Sequence, residues 1–195
     1  YIALGDDFRF GNSREGDYDY VRRLAAKFNY EVQPTGTLEI ADVRVSSTRI
    51  RTALAEGHFV EAQALLGRPF TMTGRVEHGR KLGRELGAPT ANIRINRIRS
   101  PLSGVFAVRV DGPGLESAAA VANVGTRPTV DDGLKANLEV HLLDRKCDLY
   151  GQRLEVRFLH KLREEIKYES LDALKEGIAK DIDNARHWLA QPGHS

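Results

Sequence analysis

The hydrophobic period of this chain changes at Gly67-Arg68-Pro69, and that change limits the fold more than any other feature. Before the break, apolar residues recur at the helical spacing of about 3.6. After it they alternate with the period of about 2 that marks strands. Glycine and proline together stop a helix and redirect the backbone. A chain of 195 residues suffices for one large domain or two small ones, and the break favours two.

Residues 1–66 read as α/β. Tyr1-Ile2-Ala3-Leu4 looks like the end of a buried strand running into Gly5, so the chain is expected to be a piece of a longer protein. A Gly/Asp loop follows over 5–16. Val21, Leu24, Ala25 and Phe28 share one face of a helix predicted over 18–29. A short strand is expected at 30–34. Residues 43–46 lead into a helix over 48–56 that Gly57 stops, and a second helix covers 59–66.

Beyond the break, strands are predicted over 104–110, 117–124, 136–143 and 152–158. The last alternates cleanly, with Leu154, Val156 and Phe158 on one face and Arg153, Glu155 and Arg157 on the other. Turn signals lie at 111–114, 131–133 and 150–151. Several short strands in one part predict an antiparallel barrel or sandwich. Ser170 is placed to cap a final helix whose stripe is Leu171, Leu174, Ile178, Ile182, Ala185 and Leu189. That stripe predicts a helix packed on the barrel, and 191–195 a frayed tail.

Composition narrows the function classes. Apolar residues at 41% support a packed core, and charged residues at 29% with net charge +2 give a mixed surface. A dedicated nucleic-acid domain would carry a stronger basic excess. The single cysteine, Cys147, has no partner for a disulfide or a zinc site, so a solvent-side or packing role is expected. No run approaches the ~18 apolar residues of a membrane span, and no basic-then-apolar leader opens the chain. The expectation is a soluble cytoplasmic protein.

The stretch 74–92, GRVEHGRKLGRELGAPTAN, carries the candidate chemistry. Glycines let backbone approach a ligand closely, and their N–H groups can cradle phosphate oxygens. Gly79, Lys81, Gly83, Arg84 and Gly87 are candidate phosphate contacts. It is not a P-loop, and glycine content alone equally fits turns between barrel strands. The Pro89-Thr90-Ala91-Asn92 end adds two oxygen donors on one face of an extended chain, suited to a hard cation such as Mg²⁺. Glu139 and His141 share the face opposite Leu138, Val140 and Leu142. Glu139 could take a proton from an attacking hydroxyl or be an ordinary solvent-facing carboxylate, and His141 could orient it. The segment 123–129, N-V-G-T-R-P-T, reads as a polar turn ending a strand, with Asn123 and its backbone available to a nucleotide. Leu162-Arg163-Glu164-Glu165 reads as a charged loop before the last helix, solvated or closing on phosphate through Arg163.

These motifs, in this order, resemble the riboflavin kinase module of bacterial bifunctional riboflavin kinase/FAD synthetases. The matching residues are the G-x-x-x-G-R-x-L-G-x-P-T-A-N run ending at Asn92, Gly104-Val105-Phe106-Ala107, the Asn-x-Gly-x-x-Pro-Thr segment at 123–129 and Glu139-x-His141. Asp148-Leu149-Tyr150-Gly151 and Leu162-Arg163-x-Glu165 complete the set. Upstream, Gly5-Asp6-Asp7-Phe8-Arg9-Phe10-Gly11 and Ser46-Ser47-Thr48-Arg49-Ile50-Arg51 are similar to segments of the same family's nucleotidylyltransferase domain, which adenylylates FMN.

The resemblance implies a truncated remnant of that Rossmann-like domain over 1–66, a riboflavin kinase domain over 67–190 and a tail over 191–195. The kinase domain would be a Greek-key antiparallel β-barrel with a C-terminal α-helix. The implied reaction takes ATP and riboflavin to ADP and FMN with Mg²⁺. Glu139 would be the base, and Thr90 and Asn92 would hold the metal and phosphates. Gly79, Lys81, Gly83, Arg84, Gly87, Asn123 and Tyr150 would contact ATP, and Arg163 and Glu165 would form a flap on the flavin side. Asp7, Phe8, Ser47, Thr48 and Arg51 would be what remains of the adenylyltransferase site. The H-x-G-H motif of that second site is absent, with no histidine before His58, so this chain alone is expected to lack adenylyltransferase activity. Small-molecule substrates are implied, with neither membrane nor nucleic acid as partner. Two alternatives are a catalytically silent flavin- or nucleotide-binding barrel and an oligonucleotide-binding barrel. The latter usually offers stacking aromatics, and none lies between Thr71 and Val105.

Overall fold

The computed structural model describes residues 1–193 apart from Asp6, Asp42, Lys146 and the segments 79–86, 96–99 and 130–132. At 126–129 and 133–135 it describes the backbone alone. Two compact units emerge, Tyr1–Ser47 and Thr48–Ser195.

In the first unit, β1 (Ile2–Gly5) lies parallel to β2 (Val32–Thr35), with Ile2 opposite Val32. Helix α1 (Tyr18–Phe28) connects them, as a parallel pair requires. Asp17 caps it by accepting from the Tyr20 amide at 2.8 Å, and Asn29 closes it in the left-handed conformation. A small ladder of β3 (Glu39–Ile40) and β4 (Val43–Arg44) follows. Arg44 pairs with Asp7 at 2.6 Å, and Phe8 stacks on Phe10.

The second unit opens with α2 (Ser47–Glu56) and α3 (Phe59–Leu66). Ser47, Thr48 and Arg51 are exposed along the first turns of α2. Six strands then close a barrel: β5 (Thr71–Glu77), β6 (Ala91–Arg94), β7 (Gly104–Gly112), β8 (Leu115–Thr129), β9 (Gly133–Leu142) and β10 (Arg153–Arg163). Their order around the barrel is β10-β5-β6-β9-β8-β7, all neighbours antiparallel. The β6–β9 pairing, with β7 and β8 between them in sequence, gives the Greek-key path. Each of the six strands thereby has a neighbour on both sides over part of its length.

The interior is filled by the alternating apolar residues that the sequence displays, among them Val76, Ile93, Phe106, Val124, Leu138, Val140, Leu154, Val156 and Phe158. Leu54, Phe59 and Ala62 from α2 and α3 join this same cluster, and Phe59 meets Phe106 edge-on and stacks with Phe158. Those helices therefore complete the barrel core, and the contact boundary at Ser47–Thr48 falls well ahead of the Gly67-Arg68-Pro69 break. Helix α4 (Leu171–Leu189) packs outside the barrel through Ala185, Leu189, Ile182 and Trp188 against Val105, Ala107 and Val121. Ser170 caps it as predicted, accepting from the Ala173 amide at 3.1 Å.

Three expectations need correction. The segment 123–129 is not a turn: β8 runs through it, paired with β9 as far as Thr129 opposite Gly133. Beyond the Gly104–Val124 pair, β9 is the one ladder partner described for β8, and such an edge accepts the missing N–H of Pro128. Strand β10 runs past Phe158 to Arg163, with register shifts between Phe158 and His160 and between Lys161 and Arg163 that bend it around the barrel. Leu171 is 63% exposed, so the stripe of α4 begins half-buried at Leu174 and is buried at Ala185 and Leu189.

Phe158 touches three aromatic rings at the centre of the core. Phe158→Ala is expected to cost about 3–5 kcal/mol, measured as a shift in the denaturant midpoint of the barrel.

Candidate active site

The β6–β9 and β8–β9 registers build the site. Asn92 lies directly opposite Glu139 on one side, and Asn123 directly opposite it on the other. The three side chains thus form one row across three adjacent strands. Leu138 and Val140, the flanking positions on β9, point into the barrel and are buried, so the row stands on its outer face, half-buried. Asn137 Nδ2 donates to Glu139 Oε1 at 2.9 Å, which orients the carboxylate. Ala91 and Ile93 are buried in the barrel, and Thr90 and Asn92 take the alternate positions, both half-buried. His141 is anchored to the Pro-Thr-Ala-Asn segment: its Nδ1 donates to the Pro89 carbonyl at 2.9 Å.

A cleft of about 830 Å³, within the range of ligand sites, opens at the Thr90 end of β6; the inward-facing Ala91, Val140 and Leu142 line it, and Asn92, Asn123 and Glu139 do not. Thr90 lines it with Gly87 and Pro89, as do Asp148, Leu149 and Tyr150. Gly87 sits at φ +80°, a conformation that favours glycine, and so turns the chain into Pro89-Thr90. The Tyr150 ring stacks on His78 with centroids 4.0 Å apart. Asp148 accepts from the Tyr150 amide at 3.1 Å, and Arg75 donates to the Gly151 carbonyl at 2.6 Å, so this wall is held by its own hydrogen bonds. Cys147 is exposed, as expected, and it lines the cleft.

Arg163 occupies a different place from a free phosphate ligand. Its Nε and Nη2 donate to the two carboxylate oxygens of Asp181 on α4, at 2.8 and 2.6 Å. Those Asp181 hydrogen bonds outweigh partial burial and hold the guanidinium above its ordinary pKa. Arg163 also lies over the Tyr168 ring, which rests on Gly177 of α4. Glu165 packs its carboxylate against the Cα of Gly125, two residues from Asn123. The segment 163–168 is thereby fastened between α4 and the end of the Asn123 strand.

The structure sets Asn92, Asn123 and Glu139 in one row and places Thr90, Gly87 and Tyr150 on the cleft. Gly79, Lys81, Gly83 and Arg84 lie outside the described residues. Gly74, the first glycine of the run, belongs to β5: a side chain there would collide with the Arg94 backbone and Ile93, so it serves the β5–β6 packing. Sequence reasoning missed Asp181, His78 and the Pro89 carbonyl. Asp181 alone had a local signal, since a carboxylate three after Ile178 and four before Ala185 falls inside the apolar stripe.

Among the described residues no group of three or more His, Cys, Asp or Glu side chains is gathered to hold a metal. A hydroxyl at Thr90 and an amide oxygen at Asn92 are hard donors. They fit a magnesium ion that takes its remaining ligands from phosphates and water.

Comparison with known proteins agrees with this geometry. A riboflavin kinase family model matches residues 66–189. The chain belongs to the riboflavin kinase family. A FAD synthetase family model matches residues 1–49. The chain is 49% identical over its whole length to the bifunctional riboflavin kinase/FMN adenylyltransferase of Pseudomonas fluorescens, of which it spans 62%. It is 46% identical over 97% of its length to the protein of that name from Escherichia coli K12, spanning 60% of it. The chain thus covers about three fifths of these curated relatives. A crystal structure of a Streptococcus pneumoniae protein described as a macrolide-efflux protein is 34% identical, with a TM-score of 0.69 over 96% of this chain and 60% of that one. Among the described residues no helix is long and apolar enough to cross a membrane.

Asp181 is the one buried charged residue among those described, and its pair with Arg163 ties the segment 163–168 to α4. Asp181→Ala would strand the guanidinium. The expected loss is about 3 kcal/mol of unfolding free energy, against about 1 kcal/mol for Ser170→Ala at the helix cap. Urea titrations of the two variants compare them.

Proposed function

We propose that this chain phosphorylates riboflavin, moving the γ-phosphoryl group of ATP to the 5′-hydroxyl of the ribityl chain to give FMN and ADP. The observation that carries the reading is the Asn92–Glu139–Asn123 row, with Thr90, two residues before Asn92, on the wall of a cleft that Tyr150 also lines. The cleft is apolar at Val140, Leu142 and Leu149 and polar at Thr90 and Asp148, as a nucleotide needs. ATP bound there would direct its phosphates toward Thr90 and Asn92.

Glu139 takes the proton of the ribityl hydroxyl as that oxygen bonds to Pγ, and the bond from Pγ to the bridging oxygen of ADP breaks. Asn137 keeps the Glu139 carboxylate turned to its task. Phosphoryl transfer is mostly positioning and charge neutralisation. Mg²⁺ held by Thr90 and Asn92 would neutralise phosphate charge. Glu165, seated on Gly125, is suited to the flavin side, and Arg163 holds that flap through Asp181. Gly79, Lys81, Gly83 and Arg84 are proposed as nucleotide contacts on the Gly-rich loop. The FAD synthetase match over 1–49 supports a second activity in the full-length relatives, FMN adenylylation, with Asp7, Phe8, Ser47, Thr48 and Arg51 as its share in this chain.

Measuring FMN formed from riboflavin and Mg·ATP separates this reading from a silent binding barrel, which would form none. Glu139→Gln is expected to lower kcat about 10²–10⁴-fold with little change in ATP affinity. Normal turnover by that variant would remove Glu139 as the base. Thr90→Ala should instead weaken Mg·ATP binding and turnover together, seen as a raised KM for ATP with a lowered kcat.

A further inference from the structure

We propose that His141 is a positioning residue for Thr90, acting as a clamp on the Pro89 carbonyl; this rests on the kinase reading. The β6–β9 ladder pairs Ile93 with Leu138, Asn92 with Glu139 and Ala91 with Val140, and there its described register ends. Continuing the antiparallel count would set Thr90 opposite His141. The His141 side chain takes up the tie at that point, its Nδ1 donating to the Pro89 carbonyl at 2.9 Å. Thr90 is therefore bracketed. The strand pair at Ala91 holds it on one side, and the imidazole bond at Pro89 on the other.

Proline makes this clamp useful. Pro89 has no N–H to donate, so its carbonyl is the one main-chain group it offers a neighbour. Two residues upstream, Gly87 adopts a positive φ, and glycine is the residue least able to restrain a chain; between them the Ala88 side chain is buried. Buried Ala88 holds the chain before Pro89, and the His141 bond holds the exposed Pro89 itself, next to Thr90. Glu139 and His141 sit two apart on one face of β9, so one strand both presents the base and fixes the segment across from it.

The bond needs a donor at the Nδ1 position. An asparagine amide nitrogen falls near that point of the ring, whereas a glutamine amide reaches toward Nε2. His141→Asn should keep the clamp and His141→Gln should lose it. In the ligand-free protein, amide hydrogen exchange over 87–92 is expected to quicken about tenfold in His141→Gln, the loss of one hydrogen bond, and to stay near wild type in His141→Asn. With substrates, His141→Gln should lower kcat/KM for Mg·ATP about 10–100-fold, the range of a misplaced reacting group. Riboflavin binding measured without nucleotide should be unchanged. Equal exchange in the two variants would overturn the clamp, as would equal loss of kcat/KM in both. A wild-type chain that makes no FMN would instead refute the kinase reading, and the exchange comparison would then decide the clamp by itself.

Discussion

The pairing of β6 with β9 is the interaction on which this molecule depends. It closes the barrel between strands far apart in sequence, and it sets Asn92 against Glu139. A slip of one residue would turn every side chain of one strand to the other face. Asn92 and Thr90 would enter the core and Ile93 would leave it. Burial of Ala91 and Ile93 inside the barrel is therefore what specifies the site outside it. The hydrophobic core and the candidate chemistry are two faces of the same short strand.

Local pattern carries much of this and geometry the remainder. The alternation of Leu138, Val140 and Leu142 with Glu139 and His141 is visible in the residues, because a half-buried strand has a period of two. The partner of Glu139 is not visible, because register between distant strands is set by closure and not by any local signal. The same limit explains segment 123–129. Its glycine and proline mark a turn by local chemistry, yet pairing with β9 keeps it extended as far as Thr129. Tertiary contact overrides propensity there. Glycine content likewise misled at Gly74, where the missing side chain lets β5 and β6 approach and has no bearing on a ligand.

Arg163 has a partner that its position in the sequence does not show. A basic residue in a polar run is usually solvated or aimed at a ligand. Here the counterion sits one helix away, at a position in the stripe of α4 that apolar spacing would fill with a hydrophobe. The pair is bidentate and largely buried, and this joins the C-terminal helix to the flap bearing Glu165. The segment 163–168, the Asn92–Glu139–Asn123 row and the Tyr150 side of the cleft are thus held by three separate devices. One is an ion pair to α4, one is strand register, and one is the hydrogen-bonded turn at 148–152.

A crystal structure of this chain with Mg²⁺, ADP and FMN measures the central claim most directly. The account predicts the FMN phosphoester oxygen within about 3 Å of the Glu139 carboxylate, with the ADP phosphates beside Thr90 and Asn92 and the nucleoside against Tyr150. Products bound on another face of the barrel, with Glu139 remote from the phosphate, would contradict it.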